Sequence, residues 1–119
     1  MMKILIADDE KPTARAMETK FNLAGFEAKA VFDGAEALEA LSKDKFDLLL
    51  LDLMMPKKDG FTVLEELKKK GNKMPIVVTS NLGQAEDAKR VKELGAKDYI
   101  IKSSTPIPDI INYIKKILI

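Results

Sequence analysis

Leu48, Leu49, Leu50 and Leu51 run unbroken into Asp52, and the chain continues as Leu53, Met54, Met55, Pro56, Lys57, Lys58, Asp59 and Gly60. Apolar residues without alternation suit a strand buried on both faces, which occurs in parallel sheets covered by helices. The run is far too short to cross a bilayer. An acid placed directly after such a strand is delivered to the rim of a sheet. Taken alone, Asp52 reads first as a solvated loop residue or a helix cap, so the other strands must decide its role.

A strand, turn and helix unit recurs along the chain. Lys3 to Ala7 reads as a short strand followed at once by Asp8, Asp9 and Glu10. Pro12 suits a first helical residue, and Ala14, Met17, Phe21 and Ala24 recur at helical spacing up to a stop at Gly25. Glu27 to Phe32 alternates as a second strand, and Asp33 caps a helix carrying Ala37, Leu38 and Leu41. A third helix runs from about Phe61 to Lys70 and stops at Gly71. Pro75 opens a fourth strand, Ile76 to Thr79, which passes into Ser80, Asn81, Leu82 and Gly83; the fourth helix has Glu86 and Asp87 in its first turn and ends at Gly95. The fifth strand, Asp98 to Ile101, ends in Lys102, and a fifth helix from Pro106 places Ile110, Ile111, Ile114, Ile117 and Leu118 at core spacing. Five such units with short connections predict a three-layer, doubly wound (βα)5 domain with a parallel five-stranded sheet. Ligands in these folds bind beyond the carboxyl ends of the strands.

With 119 residues the expectation is one domain, 1–119. Twenty basic residues against nineteen acidic ones leave a formal charge of +1, so no global field recruits nucleic acid or an anionic membrane, and neither is expected as a direct partner. No segment has the length of a membrane span or signal peptide, and the lack of cysteine fits a reducing compartment; both point to the cytoplasm. Histidine is absent too. That removes the usual general base, the commonest transition-metal ligand and any role as a phosphohistidine carrier.

In a parallel sheet the residues that follow strands one, three, four and five share a rim: Asp8 and Asp9, Asp52, Thr79 and Ser80, and Lys102. Three close carboxylates push one another toward protonation unless positive charge is supplied, and one lysine leaves two negative charges uncompensated. One divalent cation would neutralise them. With oxygen ligands alone, Mg²⁺ is the natural ion. A carboxylate beside Mg²⁺, an ammonium and a hydroxyl is equipment for phosphoryl transfer, and a carboxylate can itself be the nucleophile. Asp52 is the candidate nucleophile because it ends the central strand, whereas Asp8 and Asp9 suit metal ligation.

Asp8-Asp9, the segment Asp52 to Gly60 with Met55-Pro56 and Asp59-Gly60, a hydroxyl after strand four, Tyr99 and Lys102, in that order, resemble the receiver domains of bacterial two-component response regulators, the single-domain chemotaxis type among them. The resemblance covers essentially the whole chain. It implies a flavodoxin-like sheet of order 2-1-3-4-5, which is the family's order and is not fixed by anything in the spacing. It also implies that Asp52 accepts a phosphoryl group from a sensor histidine kinase or phosphotransfer protein. Asp8, Asp9, Asp52 and the backbone carbonyl of Met54 would bind Mg²⁺, and Lys102 would contact the phosphoryl group. The family pattern places the switch hydroxyl at Ser80, with Thr79 packing the other way, and Tyr99 following Ser80. The output would be a changed protein-binding surface on helix four, strand five and helix five, and a phosphorylation-dependent homodimer is compatible with it. Such a chain assists its own phosphorylation and hydrolysis without being a conventional enzyme.

Two positions depart from the family: Asn81 stands where a small residue usually follows the switch, and Ser103 replaces a proline often preceded by a cis bond. They keep open a receiver-like binding module that works without phosphorylation. An aspartyl phosphatase of the haloacid dehalogenase type would want a second Asp at position 54, where Met54 stands. A nucleotide- or flavin-binding protein would want a Gly- or Ser-rich loop where Asp8, Asp9 and Glu10 stand.

Overall fold

The computed structural model describes residues 1–81 and 85–118; Leu82 and Gly83, in the loop expected after the fourth strand, lie outside them. The strands are β1 (Lys3–Ala7), β2 (Glu27–Val31), β3 (Leu48–Asp52), β4 (Ile76–Ser80) and β5 (Asp98–Ile101), alternating with helices α1 (Lys11–Leu23), α2 (Gly34–Lys43), α3 (Gly60–Lys69), α4 (Ala85–Glu93) and α5 (Ile107–Leu118). All strand pairs are parallel, and the order is β2-β1-β3-β4-β5. This is the doubly wound, flavodoxin-like (βα)5 architecture.

The leucine run is the centre of that sheet because both of its faces find apolar cover. Leu49 and Leu51 join the core under α2, α3 and α4, with Ala37, Leu64 and Val91, while Leu48 and Leu50 join the core under α1 and α5, with Met17, Phe21, Ile110 and Ile114. All four leucines are at most 1 % exposed. Full burial of one such side chain stabilises by about 2 kcal/mol, so this strand anchors both layers. A hydrophobic run without alternation is what two covered faces require.

Boundaries moved by one or two residues where local chemistry overrode hydrophobic pattern. β2 stops at Val31, leaving Phe32 in the turn before Asp33, whose carboxylate accepts from the Glu36 N–H at 2.7 Å and caps α2 as expected. α3 starts at Gly60 rather than Phe61, because Asp59 accepts from the Thr62 N–H at 2.9 Å. α1 begins at Lys11, with Pro12 second, and α5 begins at Ile107. A 3₁₀ turn over Lys102–Ser104, absent from the sequence reading, ends β5. No described helix is long and apolar enough to cross a membrane.

Candidate functional site

The register brings the strand ends to one rim. β1 aligns Ala7 with Leu51, so Asp8, one residue beyond β1, lies beside Asp52, the last residue of β3. Asp8 and Asp52 are buried, at 1 % and 4 % exposure, while Asp9 is exposed. One carboxylate oxygen from each of Asp8, Asp9 and Asp52 lies within 4.8 Å of the others. From the turn after β5, the Lys102 ammonium donates to Asp8 at 2.8 Å and reaches Asp52 and Glu10 at 3.4 Å each. The acidic turn is held in place by two backbone donors: the Asp8 N–H bonds to the Val31 carbonyl at 3.1 Å, and the Glu10 N–H bonds to the Asp8 carboxylate at 2.9 Å.

Charge at this rim is out of balance. Burial pushes the Asp52 carboxyl up to about 6; the neighbouring Asp8 charge adds to the shift, while Lys102 and the Met54 N–H oppose it. Burial also works against the Lys102 charge, yet its hydrogen bond to Asp8 and the charges of Asp52, Asp8 and Glu10 outweigh that and hold it above the ordinary lysine range. One ammonium does not fully offset the acids around it. Oxygen donors of net negative charge, clustered and partly buried, fit a hard divalent cation such as Mg²⁺. Asp8, Asp9 and Asp52 supply side-chain donors, and Met54 lies two residues beyond Asp52 on the loop that leaves it.

Thr79 and Ser80 face opposite ways, as alternation along a strand requires; β3 and β4 align Asp52 with Thr79, and register partners present their side chains to one face. Leu50 with Val77, and Leu51 with Val78, follow the same rule into opposite cores. Ser80, fully buried, therefore lies on the other face, the one on which Tyr99 aligns with Val78 and packs against the α2–α4 side of the core. Ser80 is thus placed between the rim, as the last residue of β4, and the face that carries half-buried Tyr99. Sequence alternation alone could not assign these faces because it does not fix how neighbouring strands align.

The loop from Leu53 to Asp59 is closely held. Its far end returns to β3, where the Gly60 N–H bonds to the Leu53 carbonyl at 2.8 Å. A β-carbon at Gly60 would lie 2.7 Å from the Asp52 carbonyl oxygen, so only glycine permits that return. Met54 is exposed and Met55 buried. The two departures, Asn81 and Ser103, are both exposed, and no described peptide bond is cis. Two features escaped the sequence reading. Glu10 reaches Lys102 from an acidic turn in which only its neighbours were given roles. The Asp33–Gly34 turn touches the β3–α3 loop; a glycine directly after a helix cap was its only signal.

Known proteins place this rim in context. The model of the response regulator receiver domain matches residues 4–115. A probable transcriptional regulator, ycf27, of Porphyridium aerugineum is 40% identical over 104 residues, covering 87% of this chain and 43% of the relative. The chain thus spans less than half the length of such curated relatives. The receiver domain of Francisella response regulator 1452 is 31% identical with a TM-score of 0.93, covering 99% of this chain and 97% of that one. The chemotaxis response regulator CheY4 of Vibrio cholerae, at 24% identity and a TM-score of 0.90 over 99% of each chain, shares the fold. With a family match running nearly end to end over the strands that form the acidic rim, the chain belongs to the response regulator receiver domain family.

Proposed function

We propose that Asp52 is a phosphoacceptor and that phosphorylation there changes a protein-binding surface. The observation that carries the reading is the convergence of Asp8, Asp9 and Asp52 within 4.8 Å, with the Lys102 ammonium at 2.8 Å from Asp8 and 3.4 Å from Asp52. The donor is a phosphohistidine of a sensor kinase or phosphotransfer protein. A carboxylate oxygen of Asp52 forms the new P–O bond as the donor's P–N bond breaks, and the imidazole leaves with the electron pair. Asp8, Asp9, Asp52 and the Met54 carbonyl would hold Mg²⁺, which neutralises the transferring oxygens when bound. Lys102 is drawn from Asp8 toward the new phosphoryl oxygens. Hydrolysis returns the carboxylate, so the chain assists its own cycle without being a conventional enzyme.

The phosphoryl group brings close to two negative charges to a rim already short of positive charge. The Ser80 hydroxyl moves toward it, Tyr99 follows on the same face, and the surface formed by α4, β5 and α5 shifts its equilibrium. Between β5 and α5 lies a groove of about 370 Å³ lined by Tyr99, Ile101, Thr105 and Tyr113 among others, a fitting place for a target protein or a second phosphorylated copy. Curated relatives named as transcriptional regulators support a regulatory output of that kind over the chemotaxis-type output, for which CheY4 supports the fold alone. DNA contact, in this reading, belongs to a longer regulator; nothing in a net charge of +1 equips residues 1–119 for it. The described helices give no membrane span, in keeping with action in the cytoplasm.

Incubation with Mg²⁺ and a small acyl phosphate, followed by intact mass and hydroxylamine treatment, tests the proposal. A labile adduct of one phosphoryl group is expected on wild type and none on Asp52→Ala. An unchanged adduct on Asp52→Ala overturns the assignment, and no adduct on wild type favours a binding module that works without phosphorylation.

A further inference from the structure

The loop that carries Met54 is held by a turn whose described hydrogen bonds and ion pairs go to α2 and Lys57 rather than to the acids or the lysine of the rim. Gly34, the first residue of α2, meets the backbone of Lys58 so closely that a β-carbon there would lie 2.0 Å from the Lys58 carbonyl oxygen and 2.7 Å from its Cβ. Neither contact is the movable end of a side chain, so any substitution must displace the loop or the helix. Beside it, Asp33 is 5 % exposed, caps α2, and pairs with the Lys57 ammonium at 3.6 Å. Lys57 is the one described non-glycine residue with positive φ, 66°, a conformation that the surrounding contacts must hold. The returning half of the loop is thereby fixed twice, by Gly60 against β3 and by Lys57–Lys58 against the start of α2. At its near end Met54 directly follows Leu53, whose carbonyl the Gly60 N–H holds at 2.8 Å.

We infer that the Asp33–Gly34 turn is a positioning element for the phosphoryl site: the seat it provides for Lys57 and Lys58 sets where the Met54 peptide stands, and through it the Mg²⁺ affinity of the rim. The inference rests on the phosphoacceptor reading, since it concerns the metal that reading requires. Gly34 acts here through space, by admitting a backbone that any side chain would expel. Asp33 adds charge to that seat, its carboxylate standing 3.6 Å from a largely exposed Lys57 ammonium. Neither residue contacts substrate or metal.

The test is Mg²⁺ affinity of the full chain, measured by calorimetric titration on wild type, Gly34→Ala and Asp33→Asn, with circular dichroism and thermal melts on the same samples. Asparagine keeps an oxygen to cap α2 but loses the charge that meets Lys57. Residues that orient metal ligands without touching the metal typically govern about tenfold or more in affinity, and Gly34→Ala is expected to lose at least that, with Asp33→Asn losing less in the same direction. Acyl phosphate labelling should need correspondingly more Mg²⁺ while its rate at saturating Mg²⁺ changes little. A folded Gly34→Ala protein with wild-type affinity, even if it melts earlier, overturns the inference. If Gly34→Ala does not fold, wild-type affinity in Asp33→Asn overturns it. Wild type that neither binds Mg²⁺ nor takes a phosphoryl group overturns the phosphoacceptor reading itself, and the inference with it.

Discussion

Each end of the sheet gathers one lysine among several acids, and the two ends behave in opposite ways. At the amino end, Lys3 pairs with Asp44 and lies 3.5 Å from Glu27, while its backbone N–H bonds to Asp47 at 2.7 Å. Those acids are open to solvent: the side chains of Glu27 and Asp44 are 60% and 55% exposed. Asp44 is held below the usual carboxylate range, chiefly by its hydrogen bond to Lys3. At the carboxyl end the Lys102 side chain is 8% exposed beside the side chains of Asp8 at 1% and Asp52 at 6%, and Asp52 moves the other way, up to about 6, because burial dominates. The same residue types make a screened surface pair at one end and a buried cluster short of positive charge at the other. Water decides which: hydration lets each surface charge stand alone, and its removal leaves the acids dependent on a cation.

The comparison can be broken most forcefully at Lys102. Lys102→Met leaves buried acids without their ammonium and should destabilise the metal-free protein by about 3 kcal/mol, as breaking one side of a buried ion pair does. Denaturant unfolding in the presence of a chelator measures this, and saturating Mg²⁺ should restore much of the loss. A variant as stable as wild type under chelation would show that the rim is not short of positive charge.

Next is Mg²⁺ itself. Added at 100 times its dissociation constant to wild type, it should stabilise by about 2.7 kcal/mol through preferential binding to the folded state. Asp9→Ala should abolish most of that gain, and its survival would remove Asp9 from the ligand set.

Asp52 gives a pH signature. Its folded value, about 6, lies above its ordinary 3.8, so the metal-free folded state binds the extra proton between those values and loses stability as pH rises through them. Asp52→Asn removes that loss. Its advantage over wild type should be near zero below about pH 3 and grow to about 3 kcal/mol above about pH 7. Paired unfolding curves across that range check the sign; an advantage that shrinks as pH rises would contradict the burial-driven shift.

The smallest effect belongs to the amino end. Lys3→Met should shift the unfolding midpoint least of these variants, and less still in high salt, as exposed ion pairs do. A cost comparable with that of Lys102→Met would erase the distinction between the two ends.

Most of the fold was legible because its signals are local. The unbroken leucines marked the doubly covered strand, Asp33 and the glycines at 25, 71 and 95 marked helix limits, and the repeated strand–helix alternation left little choice of architecture. The candidate acids and Lys102 were legible because each directly follows a strand, and parallel strands must deliver such residues to one rim. The hydroxyls were legible only in part: alternation along β4 fixes that Thr79 and Ser80 face opposite ways, while only the register with β3 says which of them aligns with Asp52. The contact of Gly34 with Lys58 joins residues of two separate turns, and no pattern within either announces it.

By itself the sequence determined the fold class, the family resemblance and the identity of the acids at the rim, since these depend on hydrophobic periodicity and on which residue ends each strand. Tertiary structure decided the register, the faces of the two hydroxyls, the place of Glu10 beside Lys102 and the seat of the β3–α3 loop on α2. It also decided the chemistry of Asp52. A carboxylate after four leucines is an ordinary acid in the extended chain; packing removes its water, sets Asp8 beside it and supplies only one shared ammonium, and that combination raises it to about 6.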